Sequence, residues 1–281
     1  KMNVIELKGL TYKYSVGTPF ESTAVDNVDL TIEKGEFCGI IGHTGSGKST
    51  LVNLIPRFYD VTKGRVLVDG VDVKDYSPEV LRSRIGIVPQ KAVLFAGTIV
   101  ENLRWGKKDA SKEEMWKALE ISQSKEFVEK KDGQLESRIE QGGKNLSGGQ
   151  RQRIGIARAL ATNPRFIVCD EAVSALDVSI QAQVINLMQD IKKEFSLTYM
   201  FISHDLRIIK HFCDRVMVMY LGNIVEIGTK DAIYEKRRHP YTQALLSAIP
   251  NIRKQENEHR ILLTGDIPSP VNPPAGWPFY P

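Results

Sequence analysis

The stretch that decides the fold runs Phe37-Cys38-Gly39-Ile40-Ile41-Gly42-His43-Thr44-Gly45-Ser46-Gly47-Lys48-Ser49-Thr50. Its first five residues are apolar or glycine, the pattern of a short buried strand, and a glycine-rich turn follows. Leu51, Val52, Leu54 and Ile55 then mark the inner face of a helix starting near Gly47. A strand, a Gly-x-x-x-x-Gly-Lys-Ser turn and a helix, in that order, cradle phosphate. Glycines let the backbone wrap closely, so that successive N–H groups converge on anionic oxygens. The helix start adds the positive end of its dipole. The expected phosphate contacts are Gly42, Gly45, Ser46, Gly47 and Thr50, with Lys48 on the β- and γ-phosphates and the Ser49 hydroxyl on Mg²⁺.

Outward from this loop, Val4 to Leu10 and Val28 to Ile32 alternate apolar and polar residues, as half-buried strands do. Arg65 to Val68 and Ile85 to Val88 read as further strands, with a helix start at Ser77-Pro78 between them. From about Thr98 to Ser137 the pattern is helical and amphipathic, and Ser111 with Glu114 has capping-box spacing. A glycine-rich stretch precedes a helix from about Gln150 to Ala161. Phe166 to Cys169 and Thr198 to Ile202 flank a long helix, roughly Ser179 to Glu194. Val216 to Tyr220 and Ile224 to Ile227 suggest a hairpin around Gly222-Asn223. Helix follows Gly228, and a proline-rich, extended tail is expected from Pro268 to Pro281. Strands alternating with helices imply an α/β fold with a mainly parallel sheet. The segment around 92 to 155 has no strand pattern, which implies an inserted helical subdomain.

Two more constellations carry chemistry. Phe166-Ile167-Val168-Cys169-Asp170-Glu171 is a buried strand ending in two carboxylates. Ligands of parallel sheets bind at strand carboxyl ends, which suits Asp170 to a water-mediated Mg²⁺ contact and Glu171 to polarising an attacking water. Alone, such a pair is a solvated turn or a helix cap, and only the phosphate loop tips the balance toward catalysis. Leu146-Ser147-Gly148-Gly149-Gln150 opens a helix and forms a second anion-binding end. One nucleotide site needs no second such end, so it suits the γ-phosphate of a partner's nucleotide, with a plain helix cap as the alternative.

Composition bounds the class. The chain has 281 residues, 42% hydrophobic and 26% charged, ordinary for a globular protein. Its longest apolar runs fall far short of the ~20 residues that span a bilayer. The first residues lack a secretory pattern, and Lys1 ahead of Met2 reads as a leftover of cloning. Cys38, Cys169 and Cys213 have no metal-type spacing and read as core residues of a reducing compartment, which implies a cytoplasmic location. The net charge of +4 is spread along the chain, so nucleic acid is not an expected partner.

Together these motifs resemble the ABC ATPases over about residues 4 to 230, a fold in which a P-loop NTPase core of parallel sheet carries an antiparallel β edge subdomain and an inserted helical subdomain. The resemblance implies an ATPase domain over 1–228 and a C-terminal extension over 229–281. It implies that Tyr14, or Tyr12 in its place, stacks on adenine. Gln90 is implied to touch Mg²⁺ and water and to link the site to a membrane domain. Asp177 in Ser174-Ala175-Leu176-Asp177 would cross a dimer interface, and His204 would contact γ-phosphate. Ala172 departs from the proline that many members carry there, which would loosen the turn without removing activity.

The resemblance shifts along the chain. Up to about residue 52, Thr18-Pro19-Phe20-Glu21 and Gly42-His43-Thr44-Gly45 look like energy-coupling-factor importers. Over about 53 to 158, Arg57-Phe58-Tyr59-Asp60 and Leu94-Phe95-Ala96-Gly97-Thr98-Ile99 look like exporters. From about 160 onward, Val173 to Gln183 and His239-Pro240-Tyr241-Thr242 look like oligopeptide importers. Such importers usually continue into a cysteine cluster, and none is expected here. We favour an engineered composite over a divergent natural subunit, because the shifts coincide with structural seams. The expected function is Mg-ATP hydrolysis in a head-to-tail homodimer, or a heterodimer with another ABC ATPase, powering a transmembrane subunit from the inner membrane face. The alternative is a stand-alone ATP-binding module with weak or no turnover.

Overall fold

The structure is a computed structural model, and it describes residues 2–248. Two compact units emerge: residues up to Asp75 together with those from Ile202 onward, and Tyr76–Phe201 between them.

The first unit opens with two long antiparallel strands, β1 (Asn3–Tyr14) and β2 (Ser22–Glu33). They are longer than the alternating residues alone suggest, because Gly9 at φ 55° takes up a register shift between Leu7 and Leu10 and lets β1 continue. β3 (Phe37–Ile41) is wholly buried and delivers the chain into the glycine-rich turn before α1 (Lys48–Leu54). β4 (Lys63–Val68) pairs with β1, and the two-residue β5 (Val71–Asp72) completes an antiparallel sheet in the order β2-β1-β4-β5.

The second unit begins with α2 (Pro78–Ser83), capped by Ser77, and β6 (Ile85–Val88). Next come β7 (Gly97–Thr98), α3 (Ile99–Arg104), α4 (Lys112–Ile121), α5 (Lys125–Glu129) and β8 (Arg138–Ile139). One expectation needs correction here. The helical pattern from Thr98 to Ser137 is carried by three short α-helices. α4 and α5 are parted where Gln123 turns to φ 53° and the buried Ser122 hydroxyl donates to Leu119 O and Ser124 Oγ. The segment also holds strand after all, since β7 pairs antiparallel with β8. Two residues per strand leave no period for a sequence pattern to show. These helices close over an apolar core of their own that includes Leu94, Ile99, Met115, Leu119, Val128 and Ile154. The unit then runs through α6 (Gly148–Leu160), β9 (Phe166–Asp170), the 18-residue α7 (Val178–Phe195) and β10 (Thr198–Ile202). β6 and β9 pair in parallel, with β10 on the other side of β9.

The chain returns to the first unit with α8 (Leu206–Phe212), β11 (Arg215–Tyr220), β12 (Asn223–Thr229), α9 (Lys230–Glu235) and α10 (Pro240–Ser247). β11 pairs in parallel with β3 and antiparallel with β12. The hairpin turn sits one residue earlier than its sequence suggests, on Leu221 (φ 45°) and Gly222 (φ 80°), the twin positive angles that match strand twist. The proline-rich stretch from Pro268 lies outside the described residues, as does the expected absence of a cysteine cluster.

Candidate nucleotide site

In the first unit the glycine turn is built by exclusion. Gly42 and Gly47 sit at φ 154° and 96°. A Cβ on Gly42 would lie 2.3 Å from Met219 O, and one on Gly47 would lie 2.2 Å from Ala24 O. Neither position admits a side chain, so the turn is pressed against β2 and β11. Gly222 N–H donates to Ser46 O at 3.0 Å and fastens the turn from the hairpin side. Lys48, only 7% exposed, folds its ammonium back on the loop. It donates to Gly42 O at 2.7 Å, His43 O at 2.6 Å and Ser46 Oγ at 3.2 Å. A buried cation needs such partners, and phosphate oxygens would be stronger acceptors in their place.

Tyr14, at the end of β1, sets its hydroxyl 3.1 Å from Thr50 Oγ1, which ties the strand to α1. Its ring meets Tyr12 edge-on at 4.9 Å, and Tyr12 in turn lies 5.7 Å from Tyr59. Tyr14 is the more exposed of the pair named in the sequence, while Tyr59 is a third ring that sequence spacing did not single out. His204 is exposed just past β10, in a turn where Ser203 Oγ accepts from Asp205 N–H at 3.0 Å. Ser203 N–H donates to Ile40 O, which places that turn beside the carboxyl end of β3.

In the second unit, Gln90 follows β6 and Pro89, and Asp170 ends β9. Gln90 Nε2 donates to Glu171 Oε2 at 3.3 Å and to Ser174 Oγ at 3.1 Å. The Ser174 hydroxyl donates to Glu171 O at 2.9 Å, and Ser174 N–H donates to the same oxygen. This turn holds Glu171 at φ 50°, a left-handed conformation that costs a residue with a side chain about 1–2 kcal/mol. Ala172 beneath it is fully buried. Asp177 stands at the N-cap of α7 without a side-chain capping bond.

Ser147 caps α6 through a reciprocal box. Its Oγ accepts from Gln150 N–H at 3.2 Å, and Gln150 Oε1 accepts from Ser147 N–H at 3.0 Å. Gly148 and Gly149 begin the helix, and a Cβ on Gly149 would lie 2.9 Å from Ile180 Cγ2. Arg151 donates to Leu146 O, and Gln152 Nε2 donates to Pro89 O at 3.3 Å. That last bond joins the start of α6 to the segment carrying Gln90, a link that nothing in the spacing of the two motifs reveals.

The family profile described as "ABC transporter" matches residues 25–174, more than half of the chain. The chain belongs to the ABC transporter family. As an ABC ATPase it is an ATP hydrolase of the kind that powers transport. A second profile, "Oligopeptide/dipeptide transporter, C-terminal region", matches residues 225–281. The oligopeptide transport ATP-binding protein AppF of Bacillus subtilis (strain 168) is 45% identical over 92% of this chain and 80% of its own length. The dipeptide transport ATP-binding protein DppF of Escherichia coli (strain K12) is 42% identical over 91% of this chain and 78% of its own. Among solved structures, one of a bacterial Atm1-family ABC exporter with ATP bound superposes with TM-score 0.74 at 30% identity; the match covers 86% of this ABC chain and 41% of that one. The two peptide-transport relatives align along more than nine tenths of the chain, and nothing in these matches favours the engineered composite. No described helix of this ABC protein is long and apolar enough to cross a membrane.

Proposed function

We propose that this ABC ATPase hydrolyses Mg-ATP to drive inward movement of short peptides through a membrane subunit. The substrate class and direction rest on the C-terminal match and on the peptide-transport names of its relatives. The observation that carries the hydrolytic part is the Gln90–Glu171–Ser174 network, which aims a carboxylate while its backbone is held in a strained turn. Glu171 polarises the attacking water, and Gln90 senses whether that water and the γ-phosphate are present. Lys48 exchanges its loop carbonyls for β- and γ-phosphate oxygens, and His204 steadies the γ-phosphate. Tyr14 covers the adenine.

A Mg²⁺ ion bound with ATP would supply positive charge at the phosphates. The described residues contain no cluster of three or more His, Cys, Asp or Glu able to hold a metal. The residues that would hold it are Ser49, Gln90 and Asp170, a sparse set suited to an ion that also binds phosphate and water. Two copies sandwich two nucleotides head to tail, with Ser147, Gly148, Gly149 and Gln150 of one closing on the γ-phosphate held by the other and Asp177 lining the seam. A heterodimer with another ABC ATPase would use the same surfaces. The membrane subunit docks on a groove of about 550 Å³ lined by Ile87, Phe95, Arg104, Trp105 and Arg158, which keeps the protein at the cytoplasmic membrane face. Phe95 and Trp105 stack at 4.6 Å on its rim, Trp105 being 67% exposed.

The deciding experiment measures Mg-ATP hydrolysis by the purified chain beside Glu171→Gln, with oligomeric state recorded with and without ATP. Turnover by the wild type and an ATP-trapped dimer of the variant are expected. ATP binding with neither turnover nor dimer in either protein would overturn the proposal.

A further inference from the structure

The mechanism above leaves α10 without a task, although α10 reaches the phosphate loop. His43, second in the Gly42–Ser49 turn, donates its backbone N–H to Tyr241 Oη at 2.9 Å. The His43 ring nitrogen Nδ1 lies 3.0 Å from the same oxygen. The phenol oxygen can accept from the backbone N–H while its own proton serves Nδ1, the arrangement that a His43 ring protonated at Nε2 would take. Burial, and secondarily the Lys48 charge, hold the His43 imidazole below its ordinary range, in keeping with a neutral ring that accepts. Tyr241 is 3% exposed. Its ring packs against Tyr220 at 4.5 Å, and Tyr220 lies 5.2 Å from the His43 ring.

Tyr241 is itself held in place by a chain of bonds. Glu226 on β12 accepts from Arg238 N–H at 3.1 Å and His239 N–H at 3.2 Å. His239 Nδ1 in turn accepts from Tyr241 N–H at 3.1 Å, capping α10. The phosphate loop is therefore fastened both by the β11–β12 hairpin at Ser46 and by α10 at His43.

We propose that Tyr241 is a positioning residue of the nucleotide site, and that α10, outside the matched ABC segment, sets the affinity of the loop for the phosphates of ATP and ADP. This rests on the loop being the phosphate site. Without the phenol oxygen the His43 N–H loses its acceptor in a part-buried place, and the loop entrance relaxes away from the geometry that nucleotide requires. The cost falls on binding and not on the chemical step, because Glu171 and Gln90 are untouched.

The test uses the full chain and follows binding of MgADP and MgATP, together with steady-state hydrolysis, for wild type, Tyr241→Phe, His43→Ala and Lys48→Ala. Tyr241→Phe is expected to weaken both nucleotides alike, by about 3–10-fold, the range one hydrogen bond supplies. It should raise KM correspondingly and leave kcat within about twofold. Melting of the nucleotide-free proteins checks that the folds are equally stable. Unchanged affinity in Tyr241→Phe, or a fall in kcat at unchanged KM, overturns the inference while the loop keeps its role if Lys48→Ala loses binding. Wild-type binding by Lys48→Ala overturns both. Should Tyr241→Phe fail to fold, His43→Ala carries the test, with about 2–5-fold weaker nucleotide expected and wild-type affinity refuting the idea.

Discussion

The glycine turn at Gly42–Thr50 and the acidic turn at Asp170–Asp177 follow buried strands of the same length, yet they are held in shape by different means. The first is shaped by what it excludes: glycines with no room for a methyl group, and a lysine bonded to the loop's own carbonyls. The second is shaped by what its side chains do, with Gln90 and Ser174 bracing a glutamate at φ 50°. Backbone donors suit an anion that must be held both before and after reaction, while a braced carboxylate suits a step that exists only during it. Binding and turnover should therefore separate genetically.

The strongest attempt to break that separation is Glu171→Gln. It should lower turnover by about 10²–10⁴-fold while ATP affinity stays within a few-fold. Parallel ATPase and binding assays decide, and a comparable loss of affinity would merge the two turns into one functional unit. Next in size is Gly47→Ala, whose methyl would enter Ala24 O at an unfavourable φ of 96°. Loss of ATP affinity on the order of 100-fold is expected by titration, since the loop must move by about 1 Å. Near-normal binding would show that the turn tolerates displacement.

Ser174→Ala sharpens the contrast from the other side. It removes one brace from Gln90 and one from the Glu171 carbonyl, and should reduce kcat about 3–10-fold with KM for ATP unchanged. A change in KM alone would assign Ser174 to binding. The smallest effect concerns acid stability. The folded His43 titrates below its ordinary 6.5, so the unfolded chain takes up this proton first as pH falls. Its contribution is complete above 6.5 and is lost as pH drops through the lower folded value. His43→Gln should flatten the fall in Tm between about pH 7 and 5 slightly, and an identical slope would show that His43 does not sense the loop.

Much of this was legible in the residues. Phe37–Ile41 with Gly42–Ser49, and Phe166–Asp170, carry both a buried apolar period and an unambiguous ending, so strand positions and loop chemistry follow from local rules. Ser77, Ser111 and Ser147 announce their helices because capping is a matter of three neighbouring residues. What escaped was long-range or too short to have a period. β7 and β8 are two residues each, and α8 spans only seven, too few to show a helical period. The Gln152–Pro89 bond and the Tyr241–His43 bonds join residues that are 63 and 198 positions apart. Nor does any pattern announce the left-handed backbone of Glu171, which is imposed by Ser174 and by the packing of Ala172.

The distance from His43 to Tyr241 also sets a schedule. At ribosomal speeds of about 5–20 residues per second, the 198 intervening positions take roughly 10–40 s to synthesise. For most of that interval the phosphate loop exists without either fastening, since Gly222, which holds Ser46, is made only shortly before Tyr241. A nascent chain therefore gains its full grip on nucleotide only once α10 has been made, which would delay ATP capture until that helix has emerged.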